Sequence, residues 1–234
     1  MDDFDIDALA AYLHLAPAQV AQMANRGKLP GRRVGGQWRF SPADVHPWLE
    51  ERIGLSDEQE LLEMEDVLER QPLEPHYEPR PFAELLPLEA IAVPLPARTR
   101  GSVIREMCEL AAGTGMLWEP EKMAEAVLAR EELHPTALDN GVALLHPRRP
   151  MPNILSQPFL ALGITAQGIP FGGGRRLTEI FFLIASTDDR AHLRILARLS
   201  RLIGSPEFLE NLRHAESPAL AHELILARES TLTD

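Results

Sequence analysis

Apolar and polar positions alternate with two different periods along the last two thirds of this 234-residue chain. Stretches with apolar residues every three to four positions predict helices, and short continuous apolar runs predict buried strands. The predicted helices cover 99–113, 119–130, 188–203, 205–213 and 217–228, and the predicted strands cover 142–146, 159–165 and 177–185. This alternation predicts an α/β layered domain with a mixed sheet between helices, beginning near Phe82 and ending near Arg228.

The first 53 residues have a different pattern, made of short helices and a hairpin. Residues 7–13 and 17–26 predict two helices with a tight connection, which is the helix-turn-helix plan. Gly35-Gly36 between two short strands is a strong signal for a two-residue hairpin. Ser41 predicts the N-cap of a further helix, with Pro42 at its first position.

An acidic stretch and a proline-rich stretch separate these two regions. Residues 57–69 keep apolar positions at helical spacing and predict a solvated amphipathic helix. Pairing of this helix with a second copy and packing against either domain both stay open. The prolines of residues 71–81 predict an extended, stiff linker. We therefore divide the chain into a small domain at 1–53, an acidic helix and linker at 54–81, and the α/β domain at 82–234.

Composition and charge restrict the possible functions. The formal net charge of −12 argues against a general nucleic-acid binder, although much of the acid lies in the middle of the chain. No run approaches 18 apolar residues and the first residues are acidic, so no membrane span or secretory signal is predicted and a cytoplasmic location is expected. The single cysteine, Cys108, falls on a helical apolar pattern and is expected in a core rather than as a reactive thiol.

No cofactor or metal is expected, because no histidine, cysteine and carboxylate residues have metal-ligand spacing. The tract Gly172-Gly173-Gly174 lacks the Lys-Ser/Thr spacing of a Walker phosphate loop. A hairpin connection between the two strands that flank it is the favoured interpretation.

One histidine ends an apolar run and is the best candidate for chemistry. Residues 142–145 follow Asn140-Gly141, a pair that supplies positive φ, so they predict a buried strand entered by a tight turn. His146 then lies at the end of that strand. A neutral imidazole nitrogen is a competent nucleophile near neutral pH, because the free side chain titrates at about 6.5.

The segment from Arg130 to His146, read with the helix that contains His192-Leu193, resembles the IIA domains of the bacterial phosphotransferase system, of the fructose/mannitol and nitrogen-regulatory type. Those domains carry a phosphoryl group on a histidine, so the resemblance implies that His146 is the phosphoacceptor. Pro147 stands where these domains usually have glycine, and it removes a backbone N–H that could touch the phosphate. Thr136 keeps a hydroxyl in the segment before the strand.

The resemblance also implies residues that hold the phosphate. Arg130, sixteen positions before His146, could return its guanidinium to the pocket, where forked donors suit phosphate oxygens. His192 lies on the apolar stripe of a helix that starts at 187–189, where backbone N–H groups favour an anion. On the pattern alone, an inward histidine on an apolar stripe such as His192 is more often a buried structural side chain than a catalytic one. The implied phosphoryl donor is the phosphocarrier protein HPr or a nitrogen-type homologue.

The first 53 residues closely resemble the excisionase/MerR-like winged helix-turn-helix, through Gly27-Lys28-Leu29-Pro30, the Gly35-Gly36 hairpin with Trp38-Arg39, and Trp48-Leu49. In such modules the second helix enters the major groove of DNA and the wing touches the backbone or minor groove. The candidate contacts are Gln19, Gln22, Asn25 and Arg26 on the second helix, and Lys28, Arg32, Arg33 and Arg39 for phosphate or wing contacts. The same residues could instead be ordinary solvated side chains. A homodimer is expected, since sites for such proteins usually come as paired half-sites.

Three functions stay open from the sequence. The first is a cytoplasmic regulator, phosphorylated on His146 of an IIA-like domain and binding DNA through its N-terminal module. The second is a IIA phosphoryl carrier for sugar uptake, an enzyme only as a phosphotransferase-type histidine phosphoacceptor. The third is a non-phosphorylated IIA-like interaction domain.

Overall fold

A computed structural model of the chain describes residues 3–13, 15–42, 44–45, 48–49, 80–172 and 176–233. Two compact units divide the chain, Met1–Tyr77 and Glu78–Asp234. The acidic helix predicted at 57–69 and nearly all of the proline-rich segment lie outside the described residues, as does the glycine tract from Gly173 onward.

The first unit contains two helices followed by a hairpin: α1 (Ile6–Leu13), α2 (Pro17–Asn25), β1 (Arg32–Val34) and β2 (Gln37–Arg39). The strands pair antiparallel, and Gly35 and Gly36 have φ of 60° and 81°, as a two-residue type I′ turn requires. Leu9, Val20 and Phe40 are fully buried and form the centre of a small core. The first two predicted helices and the hairpin are confirmed, whereas the helix predicted from Ser41 lies partly outside the described residues.

The second unit alternates helices and strands. Its helices are α3 (Phe82–Leu85), α4 (Arg100–Gly113), α5 (Pro120–Leu133), α6 (Asp189–Leu202), α7 (Pro206–Arg213) and α8 (Pro218–Thr233), with 3-10 turns at Leu88–Ala90 and Pro152–Ile154. Its strands are β3 (Ile91–Ala92), β4 (Val142–Leu145), β5 (Phe159–Ile169) and β6 (Thr178–Ala185).

The strands of this unit form a mixed sheet in the order β3-β5-β6-β4. β5 and β6 pair antiparallel, so the predicted hairpin connection between them is confirmed, whereas β3 pairs parallel with β5 and β4 pairs parallel with β6. Every residue of β4 is buried, which means that both faces of this strand are covered. α4 packs on β5 and α6 packs on β6. The predicted mixed-sheet α/β layered fold is confirmed.

Strand β5 is longer than its apolar pattern indicates. The continuous apolar run predicts an end near residue 165, but the strand continues to Ile169, which pairs with Thr178 after a register shift. Two exposed residues within this extension interrupt the apolar pattern. The extension ends on the buried Ile169, which pairs with β6, and the exposed residues before it hide this continuation from a pattern of apolar positions.

Candidate functional site

Two strand ends meet at one edge of the sheet. β4 and β6 run parallel with Leu145 opposite Leu183, so the residues that follow the two strands lie beside each other. His146 follows β4 directly, and Ser186 follows β6. The chain then enters α6, which carries His192 near its start. Parallel pairing therefore explains how two histidines far apart in sequence reach the same place.

His146 and His192 form a buried pair. Their ring centroids lie 4.8 Å apart with an angle of 51° between the ring planes. The side chains are almost fully covered, with 2% of His146 and 5% of His192 exposed. Nδ1 of His192 lies 3.2 Å from the hydroxyl oxygen of Ser186. The structure thus brings together two of the three residues that the sequence selected for the pocket.

The ring of His146 is held in one tautomer. Its Nδ1 lies 2.8 Å from the carbonyl oxygen of Leu144. A carbonyl oxygen can only accept a hydrogen bond, so Nδ1 carries the proton and the neutral ring has its lone pair on Nε2. In this tautomer the nitrogen of His146 that can act as a nucleophile is Nε2.

The start of α6 fixes the backbone of His192. Asp188, within the predicted helix start at 187–189, is the N-cap, and its side chain accepts a hydrogen bond of 2.8 Å from the backbone N–H of Ala191. His192 donates its own backbone N–H to the carbonyl of Asp188 at 3.1 Å. A capped first turn is rigid, so His192 has a defined position opposite His146.

Arg130 lies in the last turn of α5, where the sequence placed it. Its Nη1 atom donates a hydrogen bond of 2.6 Å to the carbonyl of His134, so the guanidinium closes the end of its own helix. The prediction that Arg130 turns toward the pocket and binds a phosphate is not tested by this contact and stays a proposal.

Glu131, next to Arg130, was not selected from the sequence. Its side chain has no exposed surface, and its carboxylate accepts hydrogen bonds from the backbone N–H of Thr136 at 3.1 and 3.2 Å and from the Thr136 hydroxyl. Nη2 of Arg100 lies 3.8 Å from Glu131 Oε2. Burial raises the pKa of Glu131, while the bonds from Thr136 and the positive charges of Arg100 and Arg130 act in the opposite direction.

The sequence does contain a signal for Glu131. Met123 and Val127 are buried on α5 at steps of four residues, and Glu131 is the next position on that face. A carboxylate on the apolar face of a helix is costly to bury unless it has hydrogen-bond partners. Searching each apolar stripe for charged residues would have found it.

Cys108 lies in the core of the second unit, as the sequence predicted. The residue is 1% exposed, and burial, followed by the charge of Glu109, raises the pKa of the thiol to about 12. The thiolate is therefore scarce at neutral pH, and the residue packs as a small apolar side chain.

In the first unit, side-chain contacts join the end of α2 to the wing, the hairpin formed by β1 and β2. Asn25 Oδ1 accepts hydrogen bonds from Arg33 Nη2 at 3.1 Å and from Trp38 Nε1 at 3.3 Å. The guanidinium of Arg33 lies over the Trp38 ring, 5.1 Å from its centroid. Asn25 and Arg33 therefore fix the wing against the end of α2.

An acidic segment accompanies the arginines of the wing. Phe4 forms a bridge with Phe40, exchanging backbone hydrogen bonds of 2.9 Å in each direction, and this extends the hairpin by one short strand. Asp3 then lies 2.9 Å from Arg32, and Asp5 lies 4.0 Å from Arg39. Because these pairs are solvated, each stabilises the fold by at most about 1 kcal/mol.

The remaining candidate DNA contacts lie on the surface. Gln22, Arg26 and Lys28 are exposed, and Lys28 accepts a hydrogen bond at its backbone carbonyl from Trp48 Nε1 at 2.9 Å. Gln19 is exposed as well, and its side-chain oxygen accepts from the backbone N–H of Ala16 at 3.0 Å. The side chain of Gln19 thus satisfies the backbone N–H of the N-cap residue of α2.

Within the parts of the chain that the structure describes, no three histidine, cysteine or carboxylate side chains are grouped closely enough to hold a metal ion. None of the helices in those same parts is both long and apolar enough to cross a membrane.

Two family profiles match the chain. The profile described as phosphoenolpyruvate-dependent sugar phosphotransferase system, EIIA 2, matches residues 84–227. The profile of a helix-turn-helix domain matches residues 4–53. The first match includes both histidines of the buried pair, and the second includes α1, α2 and the hairpin of β1 and β2.

Individual proteins agree with these profiles. A nitrogen regulatory protein of Bradyrhizobium diazoefficiens is 30% identical over 156 residues, which are 64% of this chain and 98% of that protein. A fructose-specific EIIABC component of the phosphotransferase system of Bacillus subtilis is 28% identical over 139 residues, which are 58% of this chain. The match spans only 21% of that longer protein.

The fold is also found among solved structures. Enzyme IIA mannitol of Escherichia coli, in its complex with phosphorylated enzyme IIB mannitol, superposes with a TM-score of 0.55 at 24% identity. The match covers 61% of this chain and 99% of that one. The second unit therefore has the fold of the IIA domains.

Proposed function

Because the chain belongs to the EIIA 2 family of the phosphoenolpyruvate-dependent sugar phosphotransferase system, we propose that it accepts a phosphoryl group on His146. We further propose that it is a regulator, which binds DNA through its helix-turn-helix domain. The observation that carries the proposal is the buried pair of His146 and His192, with Nδ1 of His146 engaged by the Leu144 carbonyl. An acceptor needs an unprotonated ring nitrogen in a defined position, and with the proton on Nδ1 that nitrogen is Nε2 of His146.

The phosphoryl group arrives on a histidine of a phosphocarrier protein, HPr or its nitrogen-type homologue. The lone pair on Nε2 of His146 forms the new N–P bond, while the N–P bond of the donor breaks and its electron pair returns to the donor imidazole. The proton on Nδ1 stays directed at the Leu144 carbonyl throughout, so the step requires no separate general base. Burial of the pocket keeps water away from the product, which is prone to hydrolysis.

Two side chains are proposed to hold the transferred group. His192 faces His146, and when the Ser186 hydroxyl donates to Nδ1 of His192, its Nε2 carries a proton for a phosphate oxygen. Arg130 would exchange the carbonyl of His134 for the phosphate, since a guanidinium binds an anion more strongly than a neutral carbonyl. Both residues act on charge that develops during transfer.

The N-terminal domain is proposed to bind DNA. Its profile match and its exposed basic wing support this role, and the proposed contacts are Gln19, Gln22, Asn25, Arg26, Lys28, Arg32, Arg33 and Arg39. Asn25 and Arg33 also support each other, so their contribution includes fixing the wing. A cytoplasmic location is proposed together with this role. A homodimer is proposed as well, because a single small module contacts few phosphates.

A second function, phosphoryl carrier in sugar uptake, is favoured by the fructose-specific relative of Bacillus subtilis. In that case the acceptor downstream of His146 would be a IIB protein, of the kind that binds the mannitol IIA of Escherichia coli. The helix-turn-helix match is the reason for preferring a regulator, since a carrier has no need of a DNA-binding module.

The test is to incubate the full chain with phosphoenolpyruvate, enzyme I and HPr, or with their nitrogen-type homologues, and to locate an acid-labile phosphate by mass spectrometry. A phosphate on His146 supports both phosphoryl functions, and its passage to a IIB protein would favour the carrier. No phosphate with either donor system would leave the non-phosphorylated interaction domain as the function.

A further inference from the structure

A chain of hydrogen bonds connects Glu131 to the ring of His146. The carboxylate of Glu131 binds the backbone N–H and the hydroxyl of Thr136. The carbonyl of Thr136 accepts a hydrogen bond of 3.4 Å from the backbone N–H of Leu144. The carbonyl of the same Leu144 binds Nδ1 of His146 at 2.8 Å. Every link in this chain lies in the second unit.

The segment that contains Thr136 pairs with β4 like a strand, although it forms only a single bridge. Ala137 forms an antiparallel bridge with Ala143, and Leu138 donates its backbone N–H to the carbonyl of Val142 at 2.8 Å. The tight turn at Asn140-Gly141, where Gly141 has φ of 85°, joins this segment to β4. At the end of the pairing nearest His146, the carboxylate of Glu131 holds Thr136 through its backbone N–H and its hydroxyl.

Glu131 is well suited to hold this point firmly. Its side chain is fully buried, and it makes three hydrogen bonds to a single residue, which is more than closing the end of α5 requires. Arg100 faces Oε2 of Glu131 at 3.8 Å and lies 5.8 Å from the centroid of the Phe171 ring, so the guanidinium itself is packed in place. A buried carboxylate is costly unless it has hydrogen-bond partners, and here all three hydrogen bonds come from Thr136, so Glu131 and Thr136 hold each other in place.

We propose that Glu131 is a positioning residue for phosphoryl transfer: it fixes Thr136, and through Thr136 the Leu144 peptide whose carbonyl keeps the proton of His146 on Nδ1. This inference rests on the proposed function of His146 as the phosphoacceptor. Glu131 is buried away from the donor, so its loss changes the fraction of His146 whose Nε2 is unprotonated and the alignment of that atom. Removing a partner that orients a metal-bound histidine costs roughly 10- to 100-fold in metal affinity or activity, and we expect an effect of similar size for the phosphoacceptor histidine.

The test measures the tautomer directly by long-range ¹H–¹⁵N NMR of the His146 ring in the full chain, together with the kinetics of phosphorylation by HPr. Glu131→Ala is expected to populate both neutral tautomers and to lower kcat at least about tenfold, with little change in KM for HPr. Glu131→Gln, which keeps an acceptor oxygen, should recover most of both properties. Glu132→Ala, at an exposed neighbouring position, is the matched control and should behave as wild type.

Thr136 supplies a second, milder pair of variants in case Glu131→Ala does not fold. Thr136→Val removes only the hydroxyl bond and should shift the tautomer part of the way, and Thr136→Ser should restore it. A folded Glu131→Ala or Thr136→Val protein with the wild-type tautomer population would overturn the proposal. If wild type accepts no phosphate and yet the tautomer shifts in these variants, the proposed function fails while the positioning role stands.

Discussion

His146 and His192 face each other with ring centroids 4.8 Å apart, and each belongs to a different kind of element. His146 is held by the backbone of a buried strand, while His192 is held by the capped first turn of a helix. The two residues therefore have independent supports. Replacing one ring should leave the other in place, which makes their contributions to phosphoryl transfer separable.

The first prediction concerns the acceptor itself. His146→Ala should abolish phosphorylation and leave the fold intact, because the residue follows β4 and forms no part of its pairing with β6. The measurement is the stoichiometry of acid-labile phosphate, with circular dichroism as the check of folding. His134→Ala, at an exposed histidine, is the matched control and should be phosphorylated normally. Wild-type labelling of His146→Ala would disprove the assignment.

The second prediction separates the residues that hold the phosphate. His192→Ala and Arg130→Ala should each slow transfer by about 10²- to 10³-fold without moving the phosphate from His146, the scale seen when a donor to a developing charge is lost. Rapid-quench kinetics give the rates, and peptide mapping gives the position. Leu128→Ala, at an exposed position of α5, controls for general damage to that helix. An unchanged rate in Arg130→Ala would assign Arg130 to closing α5 alone.

The elements that carry His146 and His192 could be predicted from the sequence, because each depends on residues close to it in the chain. The apolar run 142–145, the turn residues before it and the helix start at 187–189 each predict their element, and each element is confirmed. Once the sheet is known to be mixed, parallel pairing of β4 with β6 brings the two histidines together. The family resemblance pointed to His146 and His192 through these same local motifs, and the structure places the two rings side by side.

The contacts of side chains were harder to predict. Nothing local indicates that Asn25 is engaged by Arg33 and Trp38, because such contacts form only when the hairpin folds back on α2. The two-residue strand β3 was missed for a related reason: its pairing with β5 is not visible in so short an apolar segment. Long-range pairing decides these features, and periodicity carries no information about it.

The third prediction uses the raised pKa of Glu131. A carboxyl whose pKa is higher in the folded than in the unfolded chain binds more protons when folded, so its stabilising contribution is complete below the ordinary value of 4.5 and is lost as pH rises through the folded value. Wild type should therefore lose stability relative to Glu131→Gln as the pH is raised through this window. Thermal unfolding of both proteins from pH 4 to pH 8 measures the difference, with Glu132→Gln as control. A constant difference across this range would mean that Glu131 titrates normally.

The fourth prediction concerns the wing and its acidic segment. If Arg32 and Arg33 neutralise DNA phosphates, replacing both by Ala should lower affinity and reduce the slope of log K against log salt by about two. Asp3→Asn should raise affinity, since Asp3 occupies Arg32 in the free protein. Glu207→Gln makes the same change in net charge on the exposed surface of the other unit and should have a much smaller effect. Equal gains from both substitutions would show that only total charge matters.

The last prediction links the two activities. Phosphorylation adds about −1.5 to −2 charges to a protein whose formal net charge is already −12, and DNA repels negative charge, so the phosphorylated protein should bind DNA more weakly. The measurement is a mobility shift at fixed salt with wild type and His146→Ala, each with and without the phosphoryl donor system. Only wild type with donor should lose affinity, because His146→Ala has no acceptor for the phosphate. Equal affinities in all four samples would mean that the IIA domain does not control DNA binding, and a gain on phosphorylation would mean that the charge exposes the DNA-binding domain instead of opposing DNA.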